Sequence, residues 1–126
     1  MDQRTVLVVE DDAAIRELLT EVLNDAGYDV LAADHGRAAL RLAQQHAPDV
    51  AVVDHVLPDM SGLDVLERLR VHPASRYIPV MLISGRAQQV AARAHRADRL
   101  LAKPFDIDIL LEHVDALAAT TSEPVA

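Results

Sequence analysis

Apolar residues fall into two textures along this chain. Uninterrupted, largely β-branched runs occupy 5–9 (Thr-Val-Leu-Val-Val), 50–53 (Val-Ala-Val-Val) and 79–84 (Pro-Val-Met-Leu-Ile-Ser). Such runs predict strands buried on both faces of a parallel sheet. Weaker runs at 29–33 and 100–102 predict two more. Between the runs, apolar residues recur three and four positions apart. Ile15, Leu18, Leu19, Val22 and Leu23 make one face of a first helix, and Gly27 is placed to end it. A second helix opens at Asp34-His35-Gly36, buries Ala39, Leu40 and Ala43, and ends before Pro48. A third follows Ser61-Gly62 with Leu63, Leu66 and Leu69 inward, and Pro73 stops it. The alanine-rich stretch from Gln88 to His95 predicts a short fourth helix. The stripe Ile107, Leu110, Leu111, Val114, Leu117 and Ala118 predicts a last one from about Asp106 to Ala119.

Five strands thus alternate with five helices, with no hairpin between consecutive strands. Strands separated by helices pair in parallel through right-handed crossovers. The expected fold class is a doubly wound α/β domain of five βα units with helices on both faces, over residues 1–119. Residues 120–126 read as a polar C-terminal tail.

Composition narrows the picture. At 126 residues the chain suits one domain. Only one Phe and two Tyr are present, so the core is aliphatic. A formal net charge of −8 argues against a nucleic-acid surface. The absence of Cys removes disulfides and thiolate metal sites. No apolar run approaches the roughly 20 residues of a membrane span, and no secretory leader pattern is visible. The expectation is a soluble, cytoplasmic domain.

Chemistry concentrates where the predicted strands end. Asp11 and Asp12 follow the first strand, Asp54 ends the third, Ser84 the fourth, and Lys103 the fifth. In a parallel sheet these ends line one rim, the usual place for chemistry in an open α/β fold. Three carboxylates gathered there repel one another and call for a cation. An all-oxygen donor set favours a hard ion, with Mg²⁺ the natural choice. Lys103 and Ser84 suit phosphoryl oxygens. The set equips Asp54 to attack phosphorus and form an aspartyl phosphate.

Four segments together carry a family resemblance: Val-Val-Glu-Asp-Asp (8–12), Val-Val-Asp-His-Val-Leu-Pro-Asp-Met-Ser-Gly (52–62), Leu-Ile-Ser-Gly (82–85) and Lys-Pro-Phe (103–105). In order and at strand ends, they make the chain resemble the receiver domains of two-component response regulators. The resemblance implies a flavodoxin-like sheet in the order 2-1-3-4-5, for which a receiver is a standing example. It implies Asp54 as phosphoacceptor, served by a sensor histidine kinase or histidine phosphotransfer protein. It further implies Asp11, Asp12, Asp54 and the Val56 backbone carbonyl as ligands of Mg²⁺, for which Mn²⁺ can substitute. Ser84 becomes the switch hydroxyl, Lys103 the phosphate-binding lysine, and Lys103–Pro104 a cis peptide. Output would pass to a downstream protein or a fused effector.

Three positions depart from the family pattern. Leu100 stands where the family carries a switch aromatic, and a leucine cannot repeat the movement of a ring. Ser84 and Lys103 are 19 positions apart, roughly one helical turn less than the family norm, with Arg96 replacing a glycine. Val56 and Arg86 flank the path of a hydrolytic water, where they are expected to tune phosphate lifetime.

Other residues take plainer readings. Glu10 is as well explained by a solvated neighbour of the aspartates as by a metal ligand, and Asp59 reads as a turn residue. The six histidines lack ligand spacing. His55 adjoins Asp54, but strand alternation would turn it to the other side. Ile109 lies opposite the last helix's stripe, a candidate contact for a homodimer or partner. Two other functions compete with the phosphoacceptor: a degenerate receiver serving as a constitutive interaction or dimerisation module, and a Mg²⁺-dependent phosphohydrolase. Against the second, Val56 replaces the acid such enzymes carry two residues after the nucleophile.

Overall fold

A computed structural model describes residues 3–122. Five strands, β1 (Thr5–Val9), β2 (Asp29–Ala33), β3 (Val50–Asp54), β4 (Val80–Ser84) and β5 (Arg99–Ala102), form one sheet in the order β2-β1-β3-β4-β5. Every pairing is parallel. The helices are α1 (Ala13–Asp25), α2 (Gly36–His46), α3 (Gly62–Val71), α4 (Ala87–Val90) and α5 (Ile107–Ser122). This is the flavodoxin-like arrangement expected.

Strand alternation divides the core in two. Leu7, Val9, Ala51, Val53, Val80 and Leu82 pack with residues of α2 and α3 and with Val90 of α4. Val6, Val8, Val50, Val52, Met81 and Ile83 pack with α1 and α5. The central strands β3 and β4 are buried along their whole length, so no alternation of polar and apolar residues is visible in their sequence. Among the described residues, no helix is long and apolar enough to cross a membrane.

Local signals fix the helix ends. Gly27 adopts φ +100° after α1, a left-handed conformation that suits glycine. Ser61 and Asp64 form a reciprocal capping box at the start of α3. Gly62 meets a different demand, because its N–H donates to the His55 carbonyl at 2.7 Å. A Cβ there would lie 2.9 Å from His55 Cα and collide with the Asp54 carbonyl. The start of α3 is thereby pressed against the tip of β3.

Two boundaries differ from expectation. The segment expected as a helix from Gln88 to His95 is a four-residue α4 followed by a 3₁₀ turn, Ala91–Arg93. Of the residues from Ala87 to His95, only Val90 and Ala94 are buried, too small an apolar face to hold a longer helix. At the other end, α5 continues through Ser122, so residues 120–122 are helical and not tail. Residues 123–126 of the expected tail lie outside the described residues.

Candidate phosphoryl site at the strand ends

Sheet register gathers the polar residues. Val9 pairs with Val53, so the next residue of each strand, Glu10 and Asp54, meet at the rim. Both are nearly fully buried, at 3% and 6% exposure. Lys103 enters from the β5–α5 loop, its backbone N–H donating to the Ser84 carbonyl at 2.9 Å. The Lys103–Pro104 peptide is cis. Lys103 Nζ lies 3.0 Å from Asp54 Oδ1 and 3.5 Å from Glu10 Oε1.

One carboxylate oxygen from each of Glu10, Asp11 and Asp54 lies within 4.8 Å of the others. Asp12, expected among the metal acids, does not join them. It is the N-cap of α1, and its side chain accepts the Ile15 N–H at 3.1 Å. An N-cap aspartate satisfies an otherwise orphaned helix donor, here through one of its two oxygens. Glu10 joins the acidic group instead. Arg16 donates to the carbonyls of Glu10 and Asp11 and braces this turn.

The electrostatics follow from this crowding. Burial, then the hydrogen bond and charge of Asp54, push the Glu10 carboxyl up from 4.5 to about 7. Lys103 and the Asp12 N–H pull it back only in part. Burial and a neighbouring carboxylate thus both favour the protonated form of Glu10. Burial works against the charge on Lys103, but the hydrogen bond and charge of Asp54, together with Glu10, outweigh it and raise its pKa.

The neighbouring residues sort as follows. Ser84 is completely buried at the end of β4. Its hydroxyl accepts the Arg86 N–H at 2.9 Å, and His55 Nδ1 lies 3.2 Å away. His55 therefore turns toward the site's hydroxyl, not away from it. β3 ends at Asp54, so strand alternation no longer governs residue 55. Asp54 pairs with Ile83, and continuing that register sets His55 beside Ser84. Val56 makes an isolated antiparallel bridge with Ser61 and is 67% exposed. Arg86 is exposed at the start of α4. Leu100 pairs with Leu82 and packs against the core beneath α2 and α3. Asp59 is more than a turn residue, since its two oxygens accept the Gly36 and Arg37 N–H groups at 2.7 and 3.0 Å. It caps α2 from the β3–α3 loop, and those backbone hydrogen bonds hold its pKa below the usual range.

Residues 6–115 match the family model of the response regulator receiver domain. The chain belongs to that family. Among curated relatives, it is 39% identical over 129 residues to the transcriptional regulatory protein KdpE of Mycobacterium tuberculosis, covering 95% of this chain and 56% of the relative. It is 37% identical over 120 residues to the virulence transcriptional regulatory protein PhoP of Salmonella typhimurium, covering 93% and 53%. The chain thus spans about half the length of these relatives. Among solved structures, the receiver domain of the Francisella response regulator 1452 superposes with a TM-score of 0.87 at 29% identity, covering 95% of this chain and all of the other. A CheY-like receiver domain from Methylobacillus flagellatus gives 0.84 at 28% identity, covering 92% and 99%. As a receiver domain, the chain is a module of two-component signalling.

Proposed function

We propose that this receiver accepts a phosphoryl group on Asp54 from a histidine of a partner kinase or phosphotransfer protein, and signals by changing its interaction surface. The observation that carries the reading is the Asp54 carboxylate, buried at the strand tip, with Lys103 Nζ 3.0 Å from one oxygen and two further acids beside it. An Asp54 oxygen attacks phosphorus, the O–P bond forms, and the P–N bond to the donor imidazole breaks. The leaving imidazole takes up a proton. Lys103 offers its fixed positive charge to the phosphoryl oxygens, and Ser84 can supply a hydrogen bond.

The donor set fits a hard divalent ion: three clustered carboxylate oxygens, with no sulfur or imidazole among them. Glu10, Asp11 and Asp54 would hold Mg²⁺, with the Val56 carbonyl as a further ligand. When bound, the ion neutralises charge on the transferring group. The rest of the work belongs to the chain: burial excludes water from Asp54, and Lys103 orients its carboxylate.

An apolar cleft lined by Ile15, Leu18, Pro104, Phe105 and Ile107 opens beside Lys103 and supports docking of the donor protein there. The relatives are named transcriptional regulators and are about twice as long, which supports an output outside the receiver, either fused or separate. In this reading the chain catalyses only its own phosphorylation and dephosphorylation. Val56 and Arg86 tune the second step. Unchanged dephosphorylation in both Val56→Asn and Arg86→Glu removes that role.

The test is intact-mass measurement after incubation with Mg²⁺ and a small-molecule phosphodonor. A phosphoryl adduct that disappears in Asp54→Ala supports the phosphoacceptor. The four-residue α4 and Leu100 favour the constitutive module as second reading. Absence of an adduct with both the small donor and a partner kinase establishes that reading instead. Sustained donor turnover points to a hydrolase.

A further inference from the structure

Ser84 poses a problem of proton accounting. A hydroxyl carries one O–H and two lone pairs, and a fully buried donor needs an acceptor. Among the described residues, Ser84 Oγ has two partners. The Arg86 N–H donates to it at 2.9 Å, which occupies a lone pair and leaves the Ser84 proton unassigned. The other partner is His55 Nδ1 at 3.2 Å. The accounting closes when Ser84 donates to Nδ1, which places the imidazole proton on Nε2.

We propose that His55 is a positioning residue for the switch hydroxyl: it holds the Ser84 proton in the resting domain, so that His55 and a phosphoryl group on Asp54 compete for it. The proposal rests on the phosphoacceptor reading of Asp54. Ser84 has a single proton, so it cannot serve Nδ1 and a phosphoryl oxygen together. Engaging phosphate means breaking the bond to His55 and releasing a half-buried ring at the β3–α3 rim. Leu100 has no ring or polar atom with which to respond to the hydroxyl. The released His55 ring gives this domain a moving group on the other side of Ser84.

Two measurements test this. The first is the ¹⁵N NMR spectrum of the His55 ring in the unphosphorylated protein at pH 8, where an ordinary imidazole is neutral. The Nε2–H tautomer is expected, and an Nδ1–H tautomer overturns the proposal whatever Asp54 does. The second is affinity for beryllofluoride, a phosphoryl mimic, in saturating Mg²⁺. His55→Phe keeps a ring but removes the acceptor, so it should bind about fivefold more tightly, the size of one net neutral hydrogen bond. His55→Asn offers an acceptor oxygen near the position of Nδ1 and should return affinity toward wild type. In a Ser84→Ala background, His55→Phe should change nothing. Equal binding by wild type and His55→Phe, or a His55→Phe effect that survives Ser84→Ala, overturns the proposal and leaves the phosphoacceptor standing. A wild-type protein that binds no beryllofluoride overturns both.

Discussion

Glu10 should make the metal-free domain lose stability as pH rises through neutrality. Burial and the neighbouring Asp54 hold the folded carboxyl at about 7, against 4.5 for the ordinary group. The folded state therefore binds more protons than the unfolded chain between those values, and linkage makes stability fall with rising pH there. The contribution is fully present below about pH 4.5 and is gone above about pH 7. A span of roughly 2.5 pH units at 1.36 kcal/mol per unit is about 3 kcal/mol, a large share of the 5–15 kcal/mol typical of a domain. Glu10→Gln replaces the carboxyl with a neutral group of the same shape. Without divalent metal, the variant should match wild type near pH 4.5 and exceed it by about 3 kcal/mol at pH 8. Mg²⁺ should narrow that gap, because binding to the folded state at about 100-fold excess over Kd adds about 2.7 kcal/mol to wild type and less to a variant lacking one ligand. Urea denaturation from pH 4.5 to 8, with EDTA and then with Mg²⁺, reads all of this. A metal-free wild type whose stability is level across that range refutes the reasoning, as does an equal slope in Glu10→Gln.

Other outcomes follow from the same geometry. Lys103→Met removes the cation from two buried carboxylates and should cost about 2 kcal/mol at pH 8, the scale of a hydrogen bond to a charged group. The loss should shrink near pH 5, where Glu10 is protonated, as urea denaturation at the two pH values will show. Gly62→Ala drives a methyl group into the Asp54–His55 backbone and should cost about 2–3 kcal/mol by overpacking, measured in the same way. Asp12→Ala should lose about 1 kcal/mol of helix-cap stability while Mg²⁺ affinity by calorimetric titration stays unchanged. Asp11→Ala should do the reverse.

The architecture was legible because each element carried its own punctuation. The β-branched runs ending in Asp54 and Ser84 read as buried strands, and Gly27 and the Ser61–Gly62 pair marked helix ends that the structure places within a residue or two. What stayed hidden depends on register and on contacts distant in sequence. Three acids follow β1, and the pattern alone does not say which one the helix takes as its cap. Only the Val9–Val53 pairing puts Glu10 next to Asp54. Asp59 lies 23 residues from the backbone it caps, so no local spacing announces it. Alanine's high helix propensity predicts a longer α4, whereas its length is set by how few of its residues find a core to bury against.

His55 shows how a sound rule can give the wrong side. Alternation holds while a chain remains in strand geometry, and β3 leaves it at Asp54. Yet the ladder runs one hydrogen bond further, since the His55 N–H still donates to the Ile83 carbonyl at 2.8 Å. That bond keeps residue 55 level with Ser84 while its side chain is freed from the pleat. The opposite end of the sheet is pinned separately. Arg70 donates to the carbonyls of Arg96, Arg76 and Ile78 and pairs with Asp98 at 3.0 Å, while Asp98 also accepts the Val80 N–H. This clamp ties α3 to the starts of β4 and β5, where Arg96 stands in place of a glycine. At the tips the links are different ones: the His55–Ser84 contact, the β3–α3 loop, and the Asp59 cap that joins that loop to α2.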